Sequence, residues 1–460
     1  MKRYLDTLLN LILIFLGFKM LQELRRSKRQ RPCPDPNVTV DSVIAPYVPN
    51  QLIVWRKPAV LDSVYNRWKA DIFEQHPGIA VKKLCESCDD TLELWEGDNI
   101  TTIITGKTMG TSGGGSNDSD LSGGGDAVAS FSRNFIVDFP DPAPCGFKVG
   151  RIPPSQPIQP LNTTPLTIAV FDTGLLDDLK TTYTKDVVNS CMPDGKAGWN
   201  FADKNKKTAD DHLHLHGSIV SKFIKDQERE FGLQAINILP VKTHNRDGKG
   251  DLFSILCGFA YAKKCGAKII NASFGFYSAK EAKPPAILFE FVQRVLSKSN
   301  ILLIAAAGNT NANKAIGRPL AAQATIRDLD KNPFFPACLS KDFQNVLTVT
   351  TVSETNDEVS PSQNYSNNIV DIGVKCDATH NDDYYFNDPF GQNADIIGSS
   401  YATPIVTGKI AQHYTDLTAG MESGIDKEAL LERMKVKGLL NENDSLSQYV
   451  KDGNWIKKGI

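Results

Sequence analysis

Leu166-Thr-Ile-Ala-Val-Phe-Asp172-Thr-Gly174 is a short apolar run that ends on a carboxylate and a turn. Four more runs of similar length follow: Ile236-Asn-Ile-Leu-Pro-Val241, Ala267-Lys-Ile-Ile-Asn271, Ile301-Leu-Leu-Ile-Ala305 and Val346-Leu-Thr-Val-Thr350. Helical patterns separate them. Continuous apolar strands alternating with helices imply a mainly parallel sheet covered on both faces, an α/β three-layer arrangement. In such sheets a site forms beyond the carboxyl ends of the strands, so the polar residues that follow each run are the ones to read.

Three segments there are chemically loaded. Asp172 ends the first strand, Asp211-His212-Leu-His214-Leu-His216-Gly217 precedes an apolar helical pattern, and Gly398-Ser399-Ser400-Tyr401-Ala-Thr-Pro404 sets a serine at a helix start. A serine hydroxyl is a weak nucleophile at neutral pH. An imidazole must take its proton, and a carboxylate must fix the imidazole tautomer and stabilise the cation that forms. Alone, each segment also fits a turn or a helix cap. Their combination and order raise them above that.

The segments Asp172-Thr-Gly, His216-Gly-Ser-Ile-Val and Gly398-Ser-Ser400-Tyr-Ala-Thr-Pro resemble the three signature motifs of the subtilisin-like serine proteases, in that family's Asp, His, Ser order. Ile269-Ile-Asn-Ala-Ser273-Phe274-Gly275 resembles its substrate-lining strand, and Ala305-Ala306-Ala-Gly308-Asn309 resembles the segment that supplies the oxyanion-hole asparagine. The resemblance covers 166–460. It implies Ser400 as nucleophile, His216 as general base and then acid, and Asp172 as the orienting carboxylate. Asn309 would hold the oxyanion, while Ser273, Phe274, Gly275, Ala306 and Gly308 would line the substrate. Protein or peptide segments in extended form are the implied substrates, with no cofactor and no metal. Tyr401 departs from the family, where methionine is common after the nucleophile.

Other readings compete at two places. His212, His214 and His216 alternate at strand spacing and, with Asp210 and Asp211, could bind zinc; the fuller constellation claims His216, so loop histidines are expected. Gly398-Ser-Ser-Tyr-Ala402 approaches the Gly-x-Ser-x-Gly elbow of α/β-hydrolases but lacks the last glycine, and no aspartate stands between Ser400 and His413.

Upstream, residues 47–140 carry about one helical pattern and four strand-like runs, enough for a small α+β domain between proline-rich linkers at 32–46 and 141–165. This unit resembles the inhibitory propeptides of the family, which implies an intramolecular inhibitor removed by the protease itself. A permanent accessory domain is the alternative.

Residues 1–31 join an apolar run, Leu8 to Phe18, to eight basic residues. The run is short for a span of about 20 residues and suits a signal or anchor, with membrane association expected through 8–21. An anchored or exported protein is expected. The heavier positive charge after the run pulls the other way, towards the cytoplasm. A formal net charge of -2 excludes the broad basic character that nucleic-acid binding needs. Of nine cysteines, Cys85 and Cys88 are expected to pair locally or stay reduced, and Cys257 to serve as a small apolar side chain.

Overall fold

A computed structural model describes residues 47–459 except 86–87, 90, 101–123, 126–127, 139–159, 278–284, 310–325, 356, 377, 381–382, 388 and 391–394. The apolar run at 8–18 and residues 141–159 of the 141–165 linker lie outside the described residues, and the end of that linker, from Asn162, is strand.

The N-terminal unit contains strand β1 (Tyr47–Arg56), helix α1 (Asp62–Gln75), and strands β2 (Ala80–Leu84), β3 (Leu92–Glu96) and β4 (Ala129–Asp138). Its sheet is antiparallel, ordered β2-β3-β1-β4. One face is closed by α1, where Tyr65 and Ile72 pack on Leu52, Val54, Trp95 and Phe131. The opposite face turns towards the larger unit, with Trp55 against Phe291 at 4.9 Å between ring centroids.

The larger unit is built on a nine-stranded sheet. Its strands are β5 (Asn162–Asp172), β6 (Trp199–Asn200), β7 (Gln234–Lys242), β9 (Ile269–Ala272), β10 (Leu302–Ala306), β11 (Val346–Val352), β12 (Ile372–Lys375), β13 (Asn441–Glu442) and β14 (Asn454–Lys457), in the order β13-β14-β12-β11-β10-β9-β5-β7-β6. Every pairing is parallel except β13 with β14. Along β5 the side chains alternate between two cores. Ile168 and Val170 join the core under helices α2 (His216–Phe231) and α4 (Ser399–Gln412), while Ala169 and Phe171 join that under α3 (Leu252–Lys264). Burial on both faces is why these strands read as unbroken apolar runs.

Strand β5 starts at Asn162, four residues before the apolar run. That extension pairs with β7 through side-chain amides, Asn162 Nδ2 donating to Gln234 Oε1 at 2.9 Å, so no apolar pattern marks it.

The cysteine expectations fail. Cys85 is disulfide-bonded to Cys257 and Cys88 to Cys191, with Cα separations of 5.4 and 5.1 Å, inside the usual range. Both bonds join the N-terminal unit to the larger one. The turn between β2 and β3 points these cysteines at α3 and the loop around 191, a juxtaposition that sequence spacing cannot register. A strand pairing crosses the same boundary: Ile136, Val137 and Asp138 of β4 pair antiparallel with Asp251, Gly250 and Lys249 of β8 (Lys249–Asp251). Asn134 Oδ1 accepts from the amide of Phe253, and Ser130 Oγ donates to Glu290.

Candidate active site

Strand β5 delivers Asp172 to the carboxyl edge of the sheet, where it is 1% exposed. Helix α2 begins at His216, and Nδ1 of the ring lies 2.8 and 3.0 Å from the two carboxylate oxygens of Asp172. The turn before the helix is tight, with Leu215 in the left-handed region at φ 49°, a conformation that costs a branched residue energy and is held by its surroundings. The glycine after the histidine is a steric requirement. A Cβ at Gly217 would collide with the carbonyl of Gly174, so a side chain there would push α2 off the end of β5.

Two buried groups pin this half of the site. Asp210 accepts from Thr173 Oγ1 at 2.9 Å, the amide of His212 at 3.2 Å, and the amide and hydroxyl of Ser218 at 2.9 and 2.7 Å. It thereby ties the turn after Asp172 to the first turn of α2. Burial pushes its carboxyl up to about 6, and the hydrogen bonds from Ser218 and Thr173 limit the rise. Lys242, 1% exposed, donates to the carbonyls of Thr173 and Ala209 and to Asp211. Neither residue stood out in this role; the signal was a pair of aspartates just before the histidine segment.

The three histidines do not share a strand. His212 and His214 lie in the loop before α2, with ring centroids 5.6 Å apart, and the His212 and His216 rings are 6.5 Å apart. Among the described residues no group of histidine, cysteine or acidic side chains is arranged to hold a metal ion.

Helix α4 supplies Ser400 in its first turn, where amides have no acceptor within the helix. Gly398 before it has φ 142°, which a side chain would strain. All fourteen residues of α4 are buried. Pro404 lacks the N–H that would otherwise bond the carbonyl of Ser400 four residues back. Ser273 Oγ fills that place, donating to Ser400 O at 2.8 Å, and is itself held by Asn271 Nδ2 at 2.9 Å. The side chain of Ser273 therefore positions the Ser400 segment, which leaves only its backbone for the expected substrate lining.

Asn309 follows β10. Its Oδ1 accepts from the amide and the hydroxyl of Ser399, both at 3.1 Å. An amide donor at Ser399 requires an acceptor, which fixes which end of the side chain is oxygen. The Nδ2 end is buried and has no partner among the described residues, and the same holds for Ser400 Oγ. The described geometry places no hydrogen bond between Ser400 and His216, although the imidazole lies 5.1 Å from the ring of Tyr401, the next residue. A hydroxyl on one rotatable bond closes such a gap easily, and catalytic hydrogen bonds commonly tighten only with substrate bound. Gln363 and Asn364 support the segment: Gln363 Oε1 accepts from Ser399 N at 2.6 Å, and Asn364 Nδ2 donates to Ala307 O at 2.9 Å. Phe274 is buried with its ring against His244 at 5.0 Å; Ser273–Gly275 follow β9 directly, and Ala306 ends the neighbouring β10 with Gly308 two residues beyond it.

The subtilase family model (Peptidase S8) matches residues 164–441. The chain belongs to the subtilase family. Subtilisin BL of Lederbergia lenta is 26% identical over 251 residues, 53% of this chain and 74% of that protein. Subtilisin-like protease 3 of Plasmodium falciparum is 26% identical over 261 residues, 55% of this chain but only 31% of that one, so this subtilase spans about a third of the match's length. The epidermin leader peptide processing serine protease of Staphylococcus aureus, in a mutant form, superposes with a TM-score of 0.53 at 13% identity, covering 89% of this chain and 97% of that one. That likeness speaks to the fold. Among the described residues no helix is long and apolar enough to cross a membrane.

Proposed function

We propose that this subtilase is a serine endopeptidase that cuts protein substrates through an acyl-enzyme on Ser400. His216 takes the hydroxyl proton as Ser400 Oγ attacks the carbonyl carbon, and returns it to the leaving amine. Water then enters by the same route in reverse. Asp172 holds Nδ1 and stabilises the imidazolium. Asn309 Nδ2 donates to the oxygen as it becomes negative. One observation carries this reading: two of the buried polar atoms without partners are Ser400 Oγ and Asn309 Nδ2, the nucleophile and the oxyanion donor. Buried polar groups normally find partners, so both atoms are held ready for a substrate.

The N-terminal unit is proposed to be an inhibitory propeptide. Its β4 lies along β8 as an added strand, and Val137 packs among Leu252, Ile255, Phe274 and Phe276. An extended substrate would compete for that edge. The disulfides Cys85–Cys257 and Cys88–Cys191 give this inhibitor a further property: a cut in the linker at 141–165 would leave both pieces joined. Wild-type protein made under oxidising conditions should migrate at full length without reductant and as two pieces with it. Ser400→Ala should stay whole in both lanes and lose hydrolysis of casein. A wild type that stays whole after reduction contradicts self-processing. Casein hydrolysis that survives Ser400→Ala contradicts the enzyme. The rival, an idle module that holds extended peptides in the same groove, predicts no hydrolysis from either protein.

An anchored or exported location is also proposed, resting on residues 8–21 and on relatives such as the cell wall-associated protease of Bacillus subtilis, 35% identical over 116 residues, 24% of this chain and 12% of that protein.

A further inference from the structure

The two segments proposed to line a substrate each carry a glycine where they face one another, Gly275 and Gly308. A single ring occupies the space beside both. A Cβ at Gly275 would collide with Cε1 and Cζ of Phe334, and a Cβ at Gly308, whose φ is 87°, would come within 2.7 Å of Cε1 and 2.8 Å of Cδ1. The ring is 1% exposed and lies 4.9 Å from that of Tyr277. Its backbone is fastened as well. Phe334 and Phe335 pair antiparallel with Tyr277 and Phe276, and the amide of Phe334 donates to Cys338 Sγ at 3.3 Å.

A substrate must place its reacting carbonyl carbon at Ser400 Oγ with the oxygen towards Asn309 Nδ2. Asn309 directly follows Gly308, and Ser273 is tied to the carbonyl of Ser400. The residue that bears that carbonyl is therefore gripped between the 273–275 and 306–308 segments. Its side chain extends into the gap between the glycines. We propose that Phe334 fills this gap and restricts the residue on the acyl side of the scissile bond to glycine, alanine or serine. The inference rests on the endopeptidase reading and names the class of bond cut. The sequence alone does not show it, because nothing in Asn332-Pro-Phe-Phe-Pro336 marks which ring turns towards the two glycines.

The full-length chain, with its N-terminal unit cut and released by reduction, is incubated with a proteome-derived peptide library, and the residues at new carboxyl termini are read by mass spectrometry. A fluorophosphonate probe is run in parallel on each protein. Wild type should cut after glycine, alanine and serine at least about tenfold more efficiently than after phenylalanine, tyrosine or leucine, and Phe334→Ala should reverse that ratio by roughly 100-fold, within the range that even one methylene commands in an apolar pocket. A labelled wild type that cuts freely after phenylalanine or leucine overturns the inference, whether or not Phe334→Ala folds. A labelled Phe334→Ala with an unchanged profile overturns it too. Absence of labelling in wild type and variant alike would instead bring down the endopeptidase reading beneath it.

Discussion

The two halves of the site are held in opposite ways. On the Asp172–His216 side the polar groups are crowded with partners: a carboxylate on the imidazole, four donors on Asp210, and a buried lysine on the two loop carbonyls. On the Ser400–Asn309 side the scaffold is just as dense, through Ser399, Gln363, Asn364 and Ser273, but the two reactive atoms are left open. The first half has to keep one geometry through every step, so saturation serves it. In the proposed reaction the second has to meet an oxygen that is charged only while the bond is being cut, and a donor already satisfied by protein would be useless there.

Substitutions can break this contrast at either end. Asp172→Asn should be the larger loss, about 10⁴-fold in kcat, because an amide favours the wrong imidazole tautomer. Initial-rate kinetics on a peptide substrate measure it, and a loss confined to KM would contradict the orienting role. Asn309→Ala should cost about 10²–10³-fold, the range for one lost oxyanion donor in this family. It should also leave thermal stability nearly unchanged on the Nδ2 side, since that atom bonds nothing among the described residues. The lost acceptor for Ser399 accounts for a modest fall in Tm.

The smallest effect concerns pH. Burial raises the Asp210 carboxyl from 3.8 to about 6, so the native state holds a proton that the unfolded chain has released across that interval. The stability this group contributes is fully present below about pH 4 and is lost as pH rises through about 6. Asp210→Asn, made in the Ser400→Ala background to avoid autolysis, should flatten the curve of unfolding free energy against pH between those values by on the order of 1–3 kcal/mol. An unchanged curve would mean that Asp210 titrates elsewhere.

How much of this was legible depended on distance along the chain. The strand ends and the motifs around Asp172, His216, Ser400 and Asn309 are local, and each needs its own glycine, so they could be read directly. Gly217 and Gly398 show why: one permits a close backbone approach, the other a positive φ. The cross-links could not be read, because Cys88 and Cys191 are 103 residues apart and Cys85 and Cys257 are 172 apart. Lys242 was hidden for another reason. It ends an apolar strand and looks like a surface residue until the two loops fold over it. The alternation of His212, His214 and His216 is not that of a strand: the first two lie in a loop, where loop histidines were expected, and His216 opens α2.

Peptide mapping after fluorophosphonate treatment reaches the central claim most directly. The account predicts one phosphonyl group per chain, carried on the peptide that contains Ser400 and lost on prior denaturation. An adduct on another residue, or none on protein whose N-terminal unit has been cut and released by reduction, would contradict it.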